Sequence, residues 1–215
     1  KAKNDEIDAR TDLTDEEKTA AKADAKAKAD AGKTAIDNAT TNDAVTQAKN
    51  DGAASVSSVN PTAQAKPAAK QAIDDALKAK TDAIDTNNDL TAEEKAKAKE
   101  DAKAKADAAK QAIDKATTNA AVDQSKSTGT TEVNSINPAA VVKPEAKKSI
   151  DEVLKAKTDE IDSRTDLTDE EKTAAKAEAK AKADAAKEAI DNASTNAAVD
   201  QSKSTGTMSV DSVTP

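Results

Sequence analysis

The stretch Asp12–Ala23, DLTDEEKTAAKA, returns as DLTAEEKAKAKE at Asp89–Glu100 and again as DLTDEEKTAAKA at Asp166–Ala177. Thr14 followed three residues later by Glu17 is the pattern of a capping box. The hydroxyl accepts the backbone N–H of the Glu, and the carboxylate accepts the backbone N–H of the Thr. Thr91/Glu94 and Thr168/Glu171 repeat the pair. Acidic residues in the first turn also suit the positive end of the helix dipole. Leu13, Leu90 and Leu167 stand just ahead of the caps, where they can tuck the entering chain against a core. Each copy predicts a helix start.

Working outward, the interval between copies is 77 residues, without insertion or deletion. Ile36, Ile113 and Ile190 align, as do Gly52, Gly129 and Gly206, and the unit closes at Pro61, Pro138 and Pro215. Residues 1–61 and 155–215 are identical at 46 of 61 positions. Such regularity marks a tandem array. The frame divides the chain into a partial repeat at 1–61, with its first helix truncated, and full repeats at 62–138 and 139–215. It reads as a piece cut from a longer array.

Within 62–138 the periodicity predicts three helices. The first runs from about Pro67 to Thr86, with Ile73, Leu77 and Ile84 on one face and Pro67 in the first turn. The second follows the Thr91 cap for about 27 residues to Thr117, roughly 40 Å at 1.5 Å per residue. Its core stripe is Ala98, Ala102, Ala106, Ala109, Ile113 and Ala116, nearly all small. Alanine favours the helix and permits close approach of neighbours. Pairs Glu93–Lys97 and Asp101–Lys105 are spaced to add surface support. The third helix follows Asn119 as N-cap, with Val122, Gly129, Val133 and Ile136 on one face. Gly129 allows either a kink or close packing, and a continuous helix is favoured. Asn137–Pro138 ends it, and Pro138–Pro144 reads as a short linker. The fold class expected is all-α: a tandem array of antiparallel three-helix bundles forming an elongated rod.

Composition narrows the function. Of 215 residues none is His, Cys or aromatic, and only two are Arg. Large aliphatics number 26, while 33 basic and 41 acidic residues leave a net charge of −8. Charges of both signs interleave, as on solvated helix faces. The acidity argues against nucleic acid, which requires a basic footprint. No apolar run is long enough to span a bilayer, and no signal peptide is expected within the repeats. Absence of cysteine excludes disulfides and thiolate metal sites without deciding the compartment.

Candidate sites are few. Asp85, Asn87 and Asp89 imitate the first ligands of a calcium loop. However, Leu90 replaces the required Gly, Ala96 replaces the bidentate Glu, and Arg10 and Arg164 occupy the third position in the other copies. A polar turn before an N-cap explains the stretch better. Nucleophilic catalysis has no His or Cys to draw on, and the carboxylates lie on mixed-charge faces without the desolvation that acid–base work needs. The acceptor pattern for a glycan at Asn38 and Asn192 falls at helix ends, where Asn and Ser/Thr are expected anyway. No catalytic, cofactor-binding or metal-binding residue is assigned, and no small-molecule substrate. Without aromatics and with little Arg, a tight protein interface has no anchors, leaving weak, multivalent contact. The partners expected are neighbouring repeats of the same chain.

The run KPAAKQAIDDALKAKTDAIDTNNDLTAEEKAKAKEDAKAKADAAKQAIDKATTNAAVDQSKSTGTTEVNSINP, residues 66–138, resembles the fifteen-forty-two domain of unknown function. The resemblance rests on the DLTxEEK cap, the AAKxAIDxATTNxAV join and the terminal NP, and it covers essentially the whole chain. That family is repeated in wall-anchored surface proteins of Gram-positive bacteria, including matrix-binding and biofilm-associated ones. It implies an extracellular, secreted, cell-wall-attached stalk that carries a distal adhesive region. Three functions follow. The first is a non-enzymatic spacer whose copy number sets reach. The second is a weak multivalent binder of host matrix or plasma proteins, or of another cell surface. The third is an Ala/Lys/Asp-rich hydration protein, disordered until dried, although no 11-residue register supports it.

Overall fold

The computed structural model describes residues 1–214; Pro215, where the third unit closes in the sequence frame, lies outside the described residues. Among the described residues there are nine α-helices and no strands. They are α1 (Ala2–Asp8), α2 (Asp15–Asp37), α3 (Asn42–Ser57), α4 (Ala65–Asp85), α5 (Ala92–Lys115), α6 (Asn119–Asn134), α7 (Val142–Ser163), α8 (Asp169–Asn192) and α9 (Asn196–Asp211). The all-α fold and the three-helix periodicity are as the sequence implies.

The capping boxes form. The Thr14 hydroxyl accepts the Glu17 N–H and the Glu17 carboxylate accepts the Thr14 N–H, and Thr168 and Glu171 do the same. Thr91 and Glu94 exchange the equivalent bonds at 2.9 and 3.3 Å. The helix bounds differ in detail from those expected. The long second helix of the middle repeat ends at Lys115, not Thr117, so the turn into α6 starts earlier. Thr118, not Asn119, is the N-cap of α6: its hydroxyl accepts the Ala121 N–H at 3.2 Å, and Asn119 is already helical. Helix α6 stops at Asn134, so Ile136 lies beyond it, and α7 begins at Val142, which draws the last three residues of the expected linker into a helix. Gly129 does not break α6. On the surface, Lys97 pairs with Asp101, and Lys105 pairs with Glu132 of α6. Glu93 is used elsewhere.

The chain forms two compact units. The second comprises Ala79–Ala102 and Ile136 onward. It contains the bundle α7–α9, in which every pair of helices packs together. Lys147 near the start of α7 meets Asp191 at the end of α8, while Asp162 at the end of α7 meets Lys176 near the start of α8, so α7 and α8 run antiparallel. Its core is Ile150, Ile161, Ile190, Val199 and Val210, all fully buried, spaced by Ala179 and Ala183. Ile84, Leu90 and Ala98 form a smaller cluster in the same unit.

The first unit comprises Lys1–Lys78 and Lys103–Ser135. Here α2 packs on α3 and α1 on α2, with Ile7, Ala21, Ala25 and Val59 buried. The front of α4 packs with the later part of α5 and with both ends of α6 around Ile73, Ile113, Val122 and Val133. A Cβ on Gly129 would collide with the Ala109 Cβ and lie 2.8 Å from the Ile73 Cδ1. The glycine therefore provides the hole into which the Ile73 knob seats, and Gly206 does so for Ile150.

Candidate functional site

Among the described residues no cluster of acidic side chains is arranged to hold a metal ion, and no helix is long and apolar enough to cross a membrane. In the calcium-like stretches, Arg10 grips Asp12 with two bonds of 2.6 Å, and Arg164 grips Asp166 likewise. Those pairs hold the Asp12 and Asp166 carboxyls down to a pKa of about 2 through hydrogen bonds from the guanidinium. Asp85 turns to Lys99 at 2.8 Å. Asn38 caps the end of α2 and Asn192 closes α8.

The concentrated polar geometry sits instead where one repeat meets the next. In the first unit, the start of α2 faces the start of α4 and the α5–α6 turn. One Glu17 oxygen accepts the Thr14 N–H at 2.9 Å and closes the capping box. The other accepts the N–H groups of Gln64 and Ala65 at 2.9 and 3.0 Å. A helix leaves its first N–H groups without internal partners, and Glu17 satisfies them for two helices at once. Burial acts to raise the Glu17 carboxyl, but the N–H groups of Ala65, Thr14 and Gln64 outweigh it and hold the group below the usual carboxylate range.

Five further bonds belong to the seam. Glu16 accepts the Asn119 N–H at 2.9 Å, which depresses its pKa. The Asp15 N–H donates to the Thr117 carbonyl at 2.7 Å. The Thr14 hydroxyl donates to the Asn119 Oδ1 at 2.7 Å. Lys66 is 5% exposed, and its Nζ donates to the carbonyls of Thr11 and Asp114 at 2.9 and 2.8 Å. A buried cation is costly unless its donors are used. The Asp114 carbonyl lies at the C-terminal end of α5, where the helix dipole favours positive charge.

The same seam recurs 77 residues on, inside the second unit. Glu94 accepts from Thr91, Val141 and Val142 at 2.9, 2.9 and 3.1 Å. Burial opposes and the N–H bonds lower its pKa. Glu93 accepts the Asn196 N–H at 2.9 Å, and the Ala92 N–H reaches the Ser194 carbonyl at 2.8 Å. Lys143, also 5% exposed, donates to the carbonyls of Asn88 and Asp191, both at 2.8 Å. The buried Asn196 Oδ1 has no donor here. Its counterpart Asn119 receives the Thr14 hydroxyl, whereas the Thr91 hydroxyl is turned to Glu94.

The third copy of the motif serves as an internal control. Thr14 and Thr91 are fully buried and Leu13 and Leu90 nearly so, but Thr168 is exposed and Leu167 half-buried. Burial of the motif comes from the neighbouring repeat and not from its own bundle.

The family profile described as Domain of Unknown Function (DUF1542) matches residues 1–64, 65–141 and 142–215, the whole chain. The chain belongs to the DUF1542 family. Among its relatives, the extracellular matrix-binding protein EbhA of Staphylococcus aureus strain Newman is 34% identical over 172 residues, 80% of this chain. The extracellular matrix-binding protein ebh of S. aureus strain NCTC 8325 / PS 47 is also 34% identical over 172 residues, again 80% of this chain. The chain spans only 5% and 2% of the lengths of these two relatives. No solved structure matches this DUF1542 array.

Sequence reasoning found the Thr and Glu of each cap and missed their second task. Lys66/Lys143, Glu16/Glu93 and Asn119/Asn196 escaped it. A signal was present: Glu stands at 16, 93 and 170 although the residue before it changes between Asp and Ala. Where only backbone N–H groups are used, the side chains vary freely, as Gln64 and Ala65 against Val141 and Val142 show.

Proposed function

We propose that this chain is a run of non-enzymatic spacer repeats from a bacterial surface adhesin, cell-wall-attached and extracellular, that hold a distal adhesive region away from the cell. The repeats are proposed as 1–61 (partial), 62–138 and 139–215. The observation that carries this reading is the seam. Glu17 and Glu94 close a cap in one repeat and start a helix in the next with the same bonds at the same spacing. A joint whose backbone-to-glutamate bonds recur at the same spacing adds a constant step per copy, which is what a length-setting module requires. A second helix of 24 residues is about 36 Å long, and with the turns at its two ends the step is roughly 40–50 Å per repeat. Small-angle scattering on proteins carrying two, three and four repeats tests it. A maximum dimension that rises by a constant increment supports the spacer, and an irregular or saturating one overturns it.

A second reading draws on the relatives' names as extracellular matrix-binding proteins: weak multivalent contact of the repeats themselves with host matrix or another cell. Immobilised matrix proteins retaining a three-repeat chain, but not a single repeat, would favour it over a pure spacer.

A further inference from the structure

Outside its helices the chain offers an endopeptidase few side chains to grip. Among the described residues the segments between helices carry two basic side chains, Arg10 and Arg164, and Asp12 and Asp166 clasp both. Aromatic residues are absent from the sequence. Of the large aliphatics in non-helical segments, Leu13, Val59, Leu90 and Val213 are buried, and Ile136 and Leu167 are partly covered. Val141 is the exception, at 47% exposed.

Val141 ends the linker between α6 and α7, residues 135–141, SINPAAV. Ile136 and Ala140 pack against the cluster of Ile84, Leu90 and Ala98, while Ala139 and Val141 are exposed. Val141 is also the N-cap of α7 and supplies no side-chain cap, a place that Ser, Thr, Asp and Asn fill best. Pro144, in the first turn, brings no N–H to it. The helix start is held from outside instead. Glu94 accepts the N–H groups of Val141 and Val142, and Lys143 is pinned to the carbonyls of Asn88 and Asp191. The Val141 carbonyl accepts the Glu145 N–H at 3.0 Å, which shields its carbon while the clasp is closed. The linker at residues 58–64 has the same clasp, with Glu17 on the N–H groups of Gln64 and Ala65. It differs at the side chain that counts, since Gln64 stands in the place of Val141.

We propose that the peptide bond between Val141 and Val142 is a cleavage site for serine endopeptidases whose primary pocket takes a small aliphatic side chain, and that the Glu94 clasp gates it. When Glu94 lets go, the first turn of α7 opens and joins the linker as one extended stretch, Pro138 to Val142, with Val141 outward. The serine Oγ of the protease then attacks the Val141 carbonyl carbon, and the Val142 nitrogen leaves with a proton as a new amino terminus. Water releases the acyl group as a new carboxylate on Val141. The cut falls between two repeats and spares both sets of helices. The inference is independent of the spacer reading, since it needs only the linker and its clasp.

The test is limited digestion of the full 215-residue chain by pancreatic elastase under native conditions, with products read by intact mass. The first products should be 1–141 and 142–215. Glu94→Ala should speed that first cut roughly tenfold or more, because cleavage follows the population of the open form. Gly206→Ala, which loosens the third-repeat bundle without touching the linker, should leave the rate within about twofold. Val141→Lys, at an exposed side chain that makes no cap, should abolish the elastase cut at this bond and make the same bond a trypsin site. A first cut in residues 58–64 or within a helix overturns the proposal. So does a Glu94→Ala chain cut no faster, equal acceleration by Gly206→Ala, or a Val141→Lys chain that elastase still cuts here as fast or that trypsin leaves whole at this bond.

Discussion

Glu94→Ala is the substitution whose outcome the seam determines most sharply. It removes the acceptor of three backbone N–H groups: Thr91 at the start of α5, and Val141 and Val142 at the start of α7. Loss of a helix cap costs about 1 kcal/mol. Each of the two further bonds contributes about 1 kcal/mol net once water's access to the vacated N–H groups is allowed for. The sum is about 2–3 kcal/mol, or roughly 10 °C of melting temperature for a unit of this size. Glu171→Ala provides the comparison, since Glu171 closes the same capping box at 2.8 Å with no N–H from another repeat against it. The assay is thermal and urea unfolding of both variants, with hydrogen exchange read at the Val141 and Val142 amides. Glu94→Ala should be the more destabilised by a clear margin and should accelerate exchange at those two amides, whereas Glu171→Ala leaves them protected. Equal destabilisation by the two variants, with unchanged protection at Val141 and Val142, would refute the reasoning.

Three other outcomes follow from the same geometry. Lys143→Met strips the donor from two carbonyls at a buried point and should cost about 1–3 kcal/mol in urea unfolding, while Lys147→Met on the surface should cost under about 1 kcal/mol; the reverse order would contradict the assignment of Lys143 to the seam. Gly206→Ala should destabilise by roughly 1–3 kcal/mol through overpacking against Ala186 and Ile150, in spite of the ~1 kcal/mol that alanine gains in helix propensity; a stabilised variant would mean that the knob does not seat there. Glu17 and Glu94 titrate below their unfolded values, so the stability they give is complete above the unfolded carboxylate pKa of about 4.3 and is lost as pH falls through the lowered folded values. Urea midpoints should accordingly hold steady from pH 7 to about 5 and fall below that, and a midpoint that rises on acidification would contradict the seam.

Much of the fold was legible because the signals were local. Thr14/Glu17, the Ile and Ala spacing along α5 and the 77-residue interval each depend on residues close in the chain or on the copies' own agreement. The helix ends were less so. Thr118 displaced Asn119 as cap because both residue types suit the position and only the backbone path chooses. The seam stayed hidden because its partners lie far apart in sequence. Glu17 reaches Ala65, Glu16 reaches Asn119, and Lys66 reaches Thr11 across tens of residues. A capping glutamate looks complete once its own box is closed, and nothing local reveals that its second oxygen starts another helix. The buried lysines were hidden for a related reason, since Lys66 and Lys143 sit among many solvated lysines and differ only in what they meet.

The most direct measurement is a pH titration by NMR that follows the Glu94 side-chain carboxyl carbon together with the amide protons of Val141 and Val142. If one carboxylate joins two repeats, those amides move with the Glu94 titration, with a shared midpoint below the ordinary carboxylate value. Amides that stay flat while Glu94 takes up its proton would show that the repeats are not joined through this residue.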